Sequence, residues 1–346
     1  SGERGLFSRV AAQKVAARNG RRDAEADFGT NPCSEIILRP NQFCNLTEVV
    51  VRAGDNLEDL KEKVRKAAIL GTLQATLTDF RYLRRVWKTN TEDEALLGVS
   101  LTGIMDHPVL SGQSWDEHDQ WDTPLAQWLE EMRDVAIETN KEWAKRLGIN
   151  PAAAITCVKP SGTVSQLVDS ASGIHPRFSP FYIRTVRADV KDPLAQNMAN
   201  AGYPNEVDVQ KDSNLVFSFH IQTPVGAVCN KDVGAMEQLR LWKIYQDHWC
   251  EHKPSITVYY RDSEFLPVAG WVWDNFDAVS GISLLPLSDH TYQQAPYQEI
   301  TEEEYEKARS LLPSFDAVAA AQFEAGEDST LGSQELACTG GSCELP

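Results

Sequence analysis

The run Ala152-Ala153-Ala154-Ile155-Thr156-Cys157-Val158-Lys159-Pro160-Ser161-Gly162-Thr163-Val164-Ser165 contains both halves of a β-α unit. Residues 152–158 are a short apolar stretch of strand type, and Pro160 and Gly162 then break it. Toward the C-terminus, strand-like runs recur at 215–219, 255–260 and 282–285. Helical patterns at 193–201, 231–249, 269–279 and 301–312 lie between or after them. Strands alternating with helices predict parallel β-α units, in an α/β barrel or an open sheet. Toward the N-terminus, Leu60, Val64, Ala67, Ala68, Leu70 and Leu73 recur at helical spacing and predict a helix over 57–87. A second helix is predicted across 93–105. A third spans 124–147, whose stripe of Leu125, Trp128, Leu129, Met132, Ile137 and Trp143 reads as core. Residues 43–51 read as a strand or extended segment, and the first thirty as a surface helix followed by a loop. There is no internal repeat.

Composition bounds the function. The chain has 346 residues, 42% hydrophobic and 24% charged, which is ordinary for a globular protein. Lys plus Arg total 33 against 50 Asp plus Glu, for a net charge of -17, which disfavours a nucleic-acid polymer or an anionic membrane as partner. No apolar run reaches the roughly 18 residues of a spanning helix. Ser1-Gly2-Glu3-Arg4 is no signal peptide, and a start at Ser rather than Met reads as a chain that is processed, spliced or cut from something larger. Seven cysteines in a chain of this length fit a reducing cytoplasm with a few working thiols. Cys250 and His252 have no second pair at ligand spacing, so no metal site is expected and a buried thiol is the plainer reading.

Three groupings carry chemistry. In Asn31-Pro32-Cys33-Ser34-Glu35, an amide, a thiol and a carboxylate recur at every second residue, and in an extended segment all three point to one side. The alternative is an Asn-Pro turn with an incidental buried cysteine. Gly29-Thr30-Asn31-Pro32 and Arg39-Pro40-Asn41 are turns flanking Ile36-Ile37-Leu38, so Cys44 can fold back toward Cys33. In Cys338-Thr339-Gly340-Gly341-Ser342-Cys343, two glycines let the sulfurs approach disulfide range on a mobile end, as a swinging thiol–disulfide exchanger or as idle thiols. Third, the hydroxyls and backbone N–H groups of Lys159-Pro160-Ser161-Gly162-Thr163-Val164-Ser165 can cradle phosphate at a helix start, unless they form an ordinary strand-to-helix turn. The loop lacks the Walker A pattern. Together the three point to thiol redox chemistry on a phosphorylated substrate.

These motifs stand in a specific order. Asn31-Pro32-Cys33-Ser34-Glu35 and Phe43-Cys44-Asn45-Leu46 are followed by Gly98-Val99-Ser100-Leu101-Thr102-Gly103 and Lys159-Pro160-Ser161-Gly162-Thr163. Then come Gly173-Ile174-His175-Pro176-Arg177, the run from His290 through Tyr292 to Tyr297, and the Cys-x4-Cys end. Across essentially all its residues the chain resembles the C-terminal half of ribonucleotide reductase catalytic chains, most closely the adenosylcobalamin-dependent (class II) ribonucleoside-triphosphate reductases. The resemblance implies the second half of a ten-stranded α/β barrel over 1–313, with a radical-cysteine finger loop at about 29–46. A flexible tail would follow over 314–346. It implies that Cys33 is the thiyl-radical cysteine, that Glu35 takes the 3′-hydroxyl proton and that Asn31 holds the ribose hydroxyls. Cys44 would be one of two sugar-reducing thiols, and Cys338 and Cys343 would re-reduce the resulting disulfide. Pro160, Ser161, Gly162, Thr163 and Ser165 would bind the phosphates. The implied cofactor is adenosylcobalamin, with no protein contacts assigned. The implied partners are a ribonucleotide, thioredoxin or a similar dithiol reductant, and a complementary N-terminal half.

That half, with the partner cysteine of Cys44, is absent from the sequence. The chain is therefore expected to act as one part of a split or spliced enzyme, with open sheet edges that need pairing. The rival readings are a class I large-subunit fragment, a non-catalytic remnant and a generic thiol oxidoreductase. Tyr259-Tyr260, which would matter to the class I reading, fit a strand run. His175 is a further site candidate, whereas Cys157, Cys229 and Cys250 read as buried small hydrophobes and His107, His118 and His220 as structural or surface groups.

Overall fold

The structure is a computed structural model that describes residues 5–18, 20–113, 124–287, 293–314, 316, 318 and 321. In chain order the elements are β1 (Gly5–Leu6), α1 (Arg9–Arg18), β2 (Gly29–Thr30), β3 (Ile37–Leu38), β4 (Asn45–Val50), α2 (Leu57–Gln74), α3 (Arg85–Glu94), β5 (Leu97–Thr102), α4 (Pro124–Leu147) and the single turn α5 (Val164–Leu167). There follow β6 (Phe181–Asp189), α6 (Pro193–Asn200), β7 (Asn205–Val207), β8 (Asn214–Gln222) and α7 (Ala235–Ile244), which runs into a π-turn at Tyr245–Trp249. The last are β9 (Thr257–Tyr260), α8 (Phe265–Asp274), β10 (Ile282–Pro286), β11 (Tyr297–Glu299) and α9 (Glu302–Leu311). They gather into two compact units, Ser1–Pro176 with Gly226–Leu287, and Arg177–Val225 with Ser288–Pro346.

The first unit is built on a row of parallel segments. β4 pairs with β5 in register from Asn45↔Leu97 to Val50↔Thr102. Val99 bridges Thr156, Val158 bridges Pro254, and β9 pairs with β10 from Thr257↔Ser283 to Tyr260↔Pro286. β1 closes the β10 side antiparallel. The α/β class read from the sequence is the class found, and the described residues form an open row, not a closed barrel. All six residues of β5 are buried, as in a parallel strand covered on both faces.

β5 also corrects the helix predicted over 93–105. In Leu97-Gly98-Val99-Ser100-Leu101-Thr102 large apolar and small residues alternate strictly, which is period two. The leucines and valine join the core with Leu60, Val64, Ala67 and Ala68 of α2 and Leu125, Leu129 and Met132 of α4. Gly98 suits the packing, because a Cβ there would press on the side chains of Leu46 and Ile36, which would have to give way. The helix predicted over 57–87 is also two elements. α2 begins on a reciprocal cap, in which Asn56 accepts from Glu58 N and Asp59 N while Asp59 returns a bond to Asn56 N. Such a cap contributes about 1 kcal/mol. The chain leaves α2 after Gln74, and Leu70 and Leu73 are exposed. α4 has the predicted bounds, whereas residues 152–158 make only the two bridges.

The second unit is a four-stranded sheet in the order β11-β6-β8-β7, antiparallel throughout. The run at 215–219 therefore belongs to an antiparallel ladder, Phe181↔Gln222 to Asp189↔Asn214, and not to a parallel β-α unit. Arg184 stacks on the Tyr297 ring at 4.5 Å, beside Phe178 and Tyr182. Among the described residues, no helix is long and apolar enough to cross a membrane.

Candidate active site

The thiol loop is a hairpin. β2 and β3 pair antiparallel, Gly29↔Leu38 and Thr30↔Ile37, and residues 31–36 form the loop between them. The segment is not extended, which corrects the reason given for the grouping. Ser34 N donates to the Asn31 carbonyl at 2.9 Å, closing a turn with Cys33 inside it, and Ser34 sits at φ +60° in the left-handed region. The turn gathers the functional groups. Asn31 Nδ2 donates to Glu35 Oε2 at 2.8 Å, and Asn31 Oδ1 accepts from Ile36 N at 3.0 Å. Glu35 is 2% exposed, whereas Cys33 is only partly buried at the tip. Asn31 therefore orients the carboxylate as well as flanking the thiol.

Cys44 lies just before β4 and, like the other described cysteines, is in no disulfide. Burial pushes its thiol well up, and the negative charge of Glu35 adds to the effect. Cys44 is thus held as S–H, within electrostatic reach of the Glu35 carboxylate. Cys157, Cys229 and Cys250 are buried, and burial pushes up the thiols of Cys157 and Cys250. Cys338 and Cys343 lie outside the described residues, as do His118 and His290, Thr291 and Tyr292.

Sequence reading missed the groups that hold the loop. His252 is fully buried; its Nδ1 accepts from Ile37 N at 3.3 Å and its Nε2 donates to the Leu97 carbonyl at 2.9 Å. Burial, with the nearby Arg22 charge, lowers its pKa to about 3, so the ring is neutral and bridges hairpin and strand. Arg22 makes a buried two-pronged pair with Glu94, 3.0 and 2.8 Å, and donates to the Ile37 carbonyl at 3.0 Å. Its guanidinium also lies over the Phe28 ring at 4.7 Å. Only the polarity of these residues shows in the sequence, because His252 meets Ile37 and Leu97, and Arg22 meets Glu94, across long separations.

The turn expected to hold phosphate is organised differently. Ser161 and Ser165 are buried, Gly162 is half-buried and Thr163 is exposed. The hydroxyls of Ser161 and Ser165 have no hydrogen-bond partner, nor do those of the buried Ser170 and Ser172, which sequence reading missed. Backbone bonds hold these serines in one folded segment, Ser165 N to Ser161 O at 3.3 Å and Ser170 N to Ser165 O at 2.9 Å. Gly173 closes it at φ +55°, where a Cβ would collide with the Lys159 carbonyl oxygen. α5 has four residues, and Thr163 at its start makes no side-chain cap. The helix field expected there is therefore small. His175 is structural: Nδ1 donates to the Ser172 carbonyl at 3.1 Å, Nε2 accepts from Thr257 N at 3.0 Å, and burial lowers its pKa to about 4. His107 is likewise buried and anchored, with Nε2 2.9 Å from the Asp55 carbonyl. No cluster of three metal-ligating side chains occurs among the described residues.

No family model matches the chain. It is 28% identical over 309 residues to the adenosylcobalamin-dependent ribonucleoside-triphosphate reductase of Lactobacillus gasseri, covering 83% of this chain and 41% of that protein. With the protein of the same name from Lacticaseibacillus paracasei it is 27% identical over 374 residues, covering 100% of this chain and 49% of the relative. Among solved structures, a B12-dependent (class II) ribonucleotide reductase superposes with a TM-score of 0.74 at 24% identity, covering 87% of this chain and 44% of that one. The chain is related to the ribonucleotide reductases. The alpha subunit of the class Id reductase of Actinobacillus ureae is a more distant fold neighbour, with a TM-score of 0.55 and 14% identity over 83% of this chain and 59% of that one. The chain spans less than half the length of these curated reductases, which fits a C-terminal half.

Proposed function

We propose that this chain is the radical-cysteine half of an enzyme that reduces ribonucleoside triphosphates to 2′-deoxyribonucleotides in the cytoplasm, completed by an N-terminal half that closes the barrel. The observation that carries the reading is the Asn31–Glu35 hydrogen bond beneath the Cys33 turn. It puts a positioned carboxylate two residues from a partly exposed thiol, in a chain related to the reductases.

Each residue has a role. The Cys33 sulfur, as a thiyl radical, takes the 3′ hydrogen atom of the ribose and becomes S–H. Glu35 accepts the 3′-hydroxyl proton, as general-base work requires, while Asn31 steadies the carboxylate and the sugar hydroxyls. The 2′ hydroxyl then leaves as water. Two electrons come from Cys44 and a thiol of the other half, which end as a disulfide, and Cys33 returns its hydrogen atom. Cys338 and Cys343 would reopen that disulfide and be reset by thioredoxin or a similar dithiol. Ser161, Ser165 and their backbone neighbours Pro160, Gly162 and Thr163 would hold the phosphates, the buried hydroxyls having no partner of their own in the chain.

Adenosylcobalamin, named in the relatives, supplies the initiating radical when bound. The partly exposed Cys33 tip fits a sulfur that must exchange a hydrogen atom with such a group. No described residue is assigned to hold the corrin.

The test combines this chain with its N-terminal counterpart, adenosylcobalamin, a ribonucleoside triphosphate and a dithiol. Deoxyribonucleotide is expected, and Cys33→Ser abolishes it. Unchanged product with Cys33→Ser overturns the reading. Reduction of a model disulfide by this chain alone, without any turnover of nucleotide, would favour a plain thiol oxidoreductase.

A further inference from the structure

Lys253 is fully buried, just before β9. An unbranched apolar side chain would fill the space without the cost of desolvating an ammonium, so packing does not account for a lysine. Room for its head exists because residue 281 is glycine: a Cβ there would stand 2.7 Å from Lys253 Cε and 2.8 Å from Nζ. Nζ donates to Ser34 Oγ at 2.9 Å, in the turn that contains Cys33. Neighbouring groups grip the same turn. Lys253 N–H donates to the Glu35 carbonyl at 3.3 Å and Ser255 Oγ donates to the Cys33 carbonyl at 2.7 Å. His252 holds Ile37 N. Residues 252–255 thus form a cradle for residues 33–37, and Ser34 is held in a left-handed conformation that a serine adopts only where its surroundings enforce it.

We propose that Lys253 is a positioning residue for Cys33, clamping the turn through Ser34 and presenting a positive charge to the Cys33 sulfur and the Glu35 carboxylate. The groups that face this ammonium are Glu35 and Cys33 on the loop, Cys157 on the adjoining strand segment and Cys250 on its own approach. Burial lowers the pKa of Lys253 to about 8, with Glu35 and the three sulfurs opposing that shift. At neutral pH the lysine is therefore largely charged, and by reciprocity it favours the ionised form of the Cys33 thiol. The inference deepens the reading of Cys33 as the working thiol and rests on it for its purpose, but its test needs no turnover.

The test is alkylation of Cys33 by iodoacetamide in the full chain, followed by mass spectrometry of the peptide bearing Cys33 between about pH 6 and 10. Lys253→Met is expected to raise the midpoint of the rate profile by about 1 unit, the size of shift that loss of a close opposite charge produces. Lys253→Arg, which keeps the charge, holds the midpoint at or below that of the unsubstituted chain. An unchanged midpoint in Lys253→Met overturns the proposal. Should that variant fail to fold, the reciprocal measurement decides: the Lys253 Nζ titration, followed by NMR, must fall in Cys33→Ser, and an unmoved Nζ refutes the coupling. A shifted midpoint without nucleotide reduction in the assembled enzyme would keep this coupling and sink the reductase reading. Reduction with an unmoved midpoint would do the reverse.

Discussion

The thiol hairpin and the serine turn are both polar and largely buried, yet they are built in opposite ways. Around the hairpin each named polar group meets a partner from within the chain: Asn31 holds Glu35, Lys253 holds Ser34, and His252 and Arg22 hold Ile37. Between residues 161 and 172, four buried serine hydroxyls meet none. Buried polar groups are normally satisfied, so the serine turn is the exception of the two, and on the proposed function its hydroxyls would meet phosphate while the hairpin holds a preorganised thiol. A reaction that moves a hydrogen atom needs the sulfur fixed before substrate arrives, whereas phosphate recognition needs donors left open for the substrate to satisfy.

The contrast breaks if substitutions do not sort the same way. The largest effect is expected at the hairpin. Arg22→Met leaves Glu94 buried without its two-pronged partner and should lower unfolding free energy by about 3 kcal/mol in a urea titration. A loss near zero would mean that the hairpin is not held by this pair. Next is Gly173→Ala, whose Cβ would strike the Lys159 carbonyl at a left-handed φ. A cost of about 2 kcal/mol is expected, with weakened nucleotide binding, because it deforms the serine turn itself.

The pH dependence of stability sharpens the comparison. His252 titrates near 6.5 when unfolded and at about 3 when folded, so the unfolded chain binds more protons between those values. Its contribution is complete above about pH 6.5 and is lost as pH falls toward 3. Within that window it adds about 1.4 kcal/mol per pH unit to the slope of unfolding free energy. His252→Asn should remove about one proton's worth of that slope, and His175, with a folded pKa of about 4, should retain its own share. An unaltered slope in His252→Asn would show that the ring is not buried neutral.

The smallest stability effect is expected at the serines. Ser165→Ala deletes an unpartnered hydroxyl, so stability should hold or rise by up to about 1 kcal/mol. Binding of a ribonucleoside triphosphate by the assembled enzyme, followed calorimetrically, should weaken several-fold. Destabilisation with unchanged nucleotide affinity would mark the turn as structural.

What the sequence disclosed follows the range of the interactions. The thiol group is legible because Asn31, Cys33 and Glu35 lie within one turn, but spacing alone predicts an extended segment where Ser34 at φ +60° makes a turn. The cradle was not legible, since Lys253 and Ser255 act on residues more than two hundred positions earlier. Two members of the serine set, Ser161 and Ser165, follow a turn signal and were found. Ser170 and Ser172 look like ordinary loop serines until burial and missing partners are seen together. In the fold, α4 announces itself by a long period-3.6 stripe, whereas β5 is only six residues long and directly follows α3, so its alternation is hidden within the span that reads as a separate helix over 93–105. The antiparallel ladder of β6 and β8 depends on pairing across the intervening α6 and β7, which no local pattern records.

The central claim is that the Cys33 sulfur carries an unpaired electron during turnover. Rapid-freeze electron paramagnetic resonance of the assembled enzyme, mixed with adenosylcobalamin and nucleotide, tests it most directly. A sulfur-centred signal that narrows when the cysteines carry deuterium at Cβ and disappears in Cys33→Ser is the predicted result. A signal that persists unchanged in Cys33→Ser would contradict it.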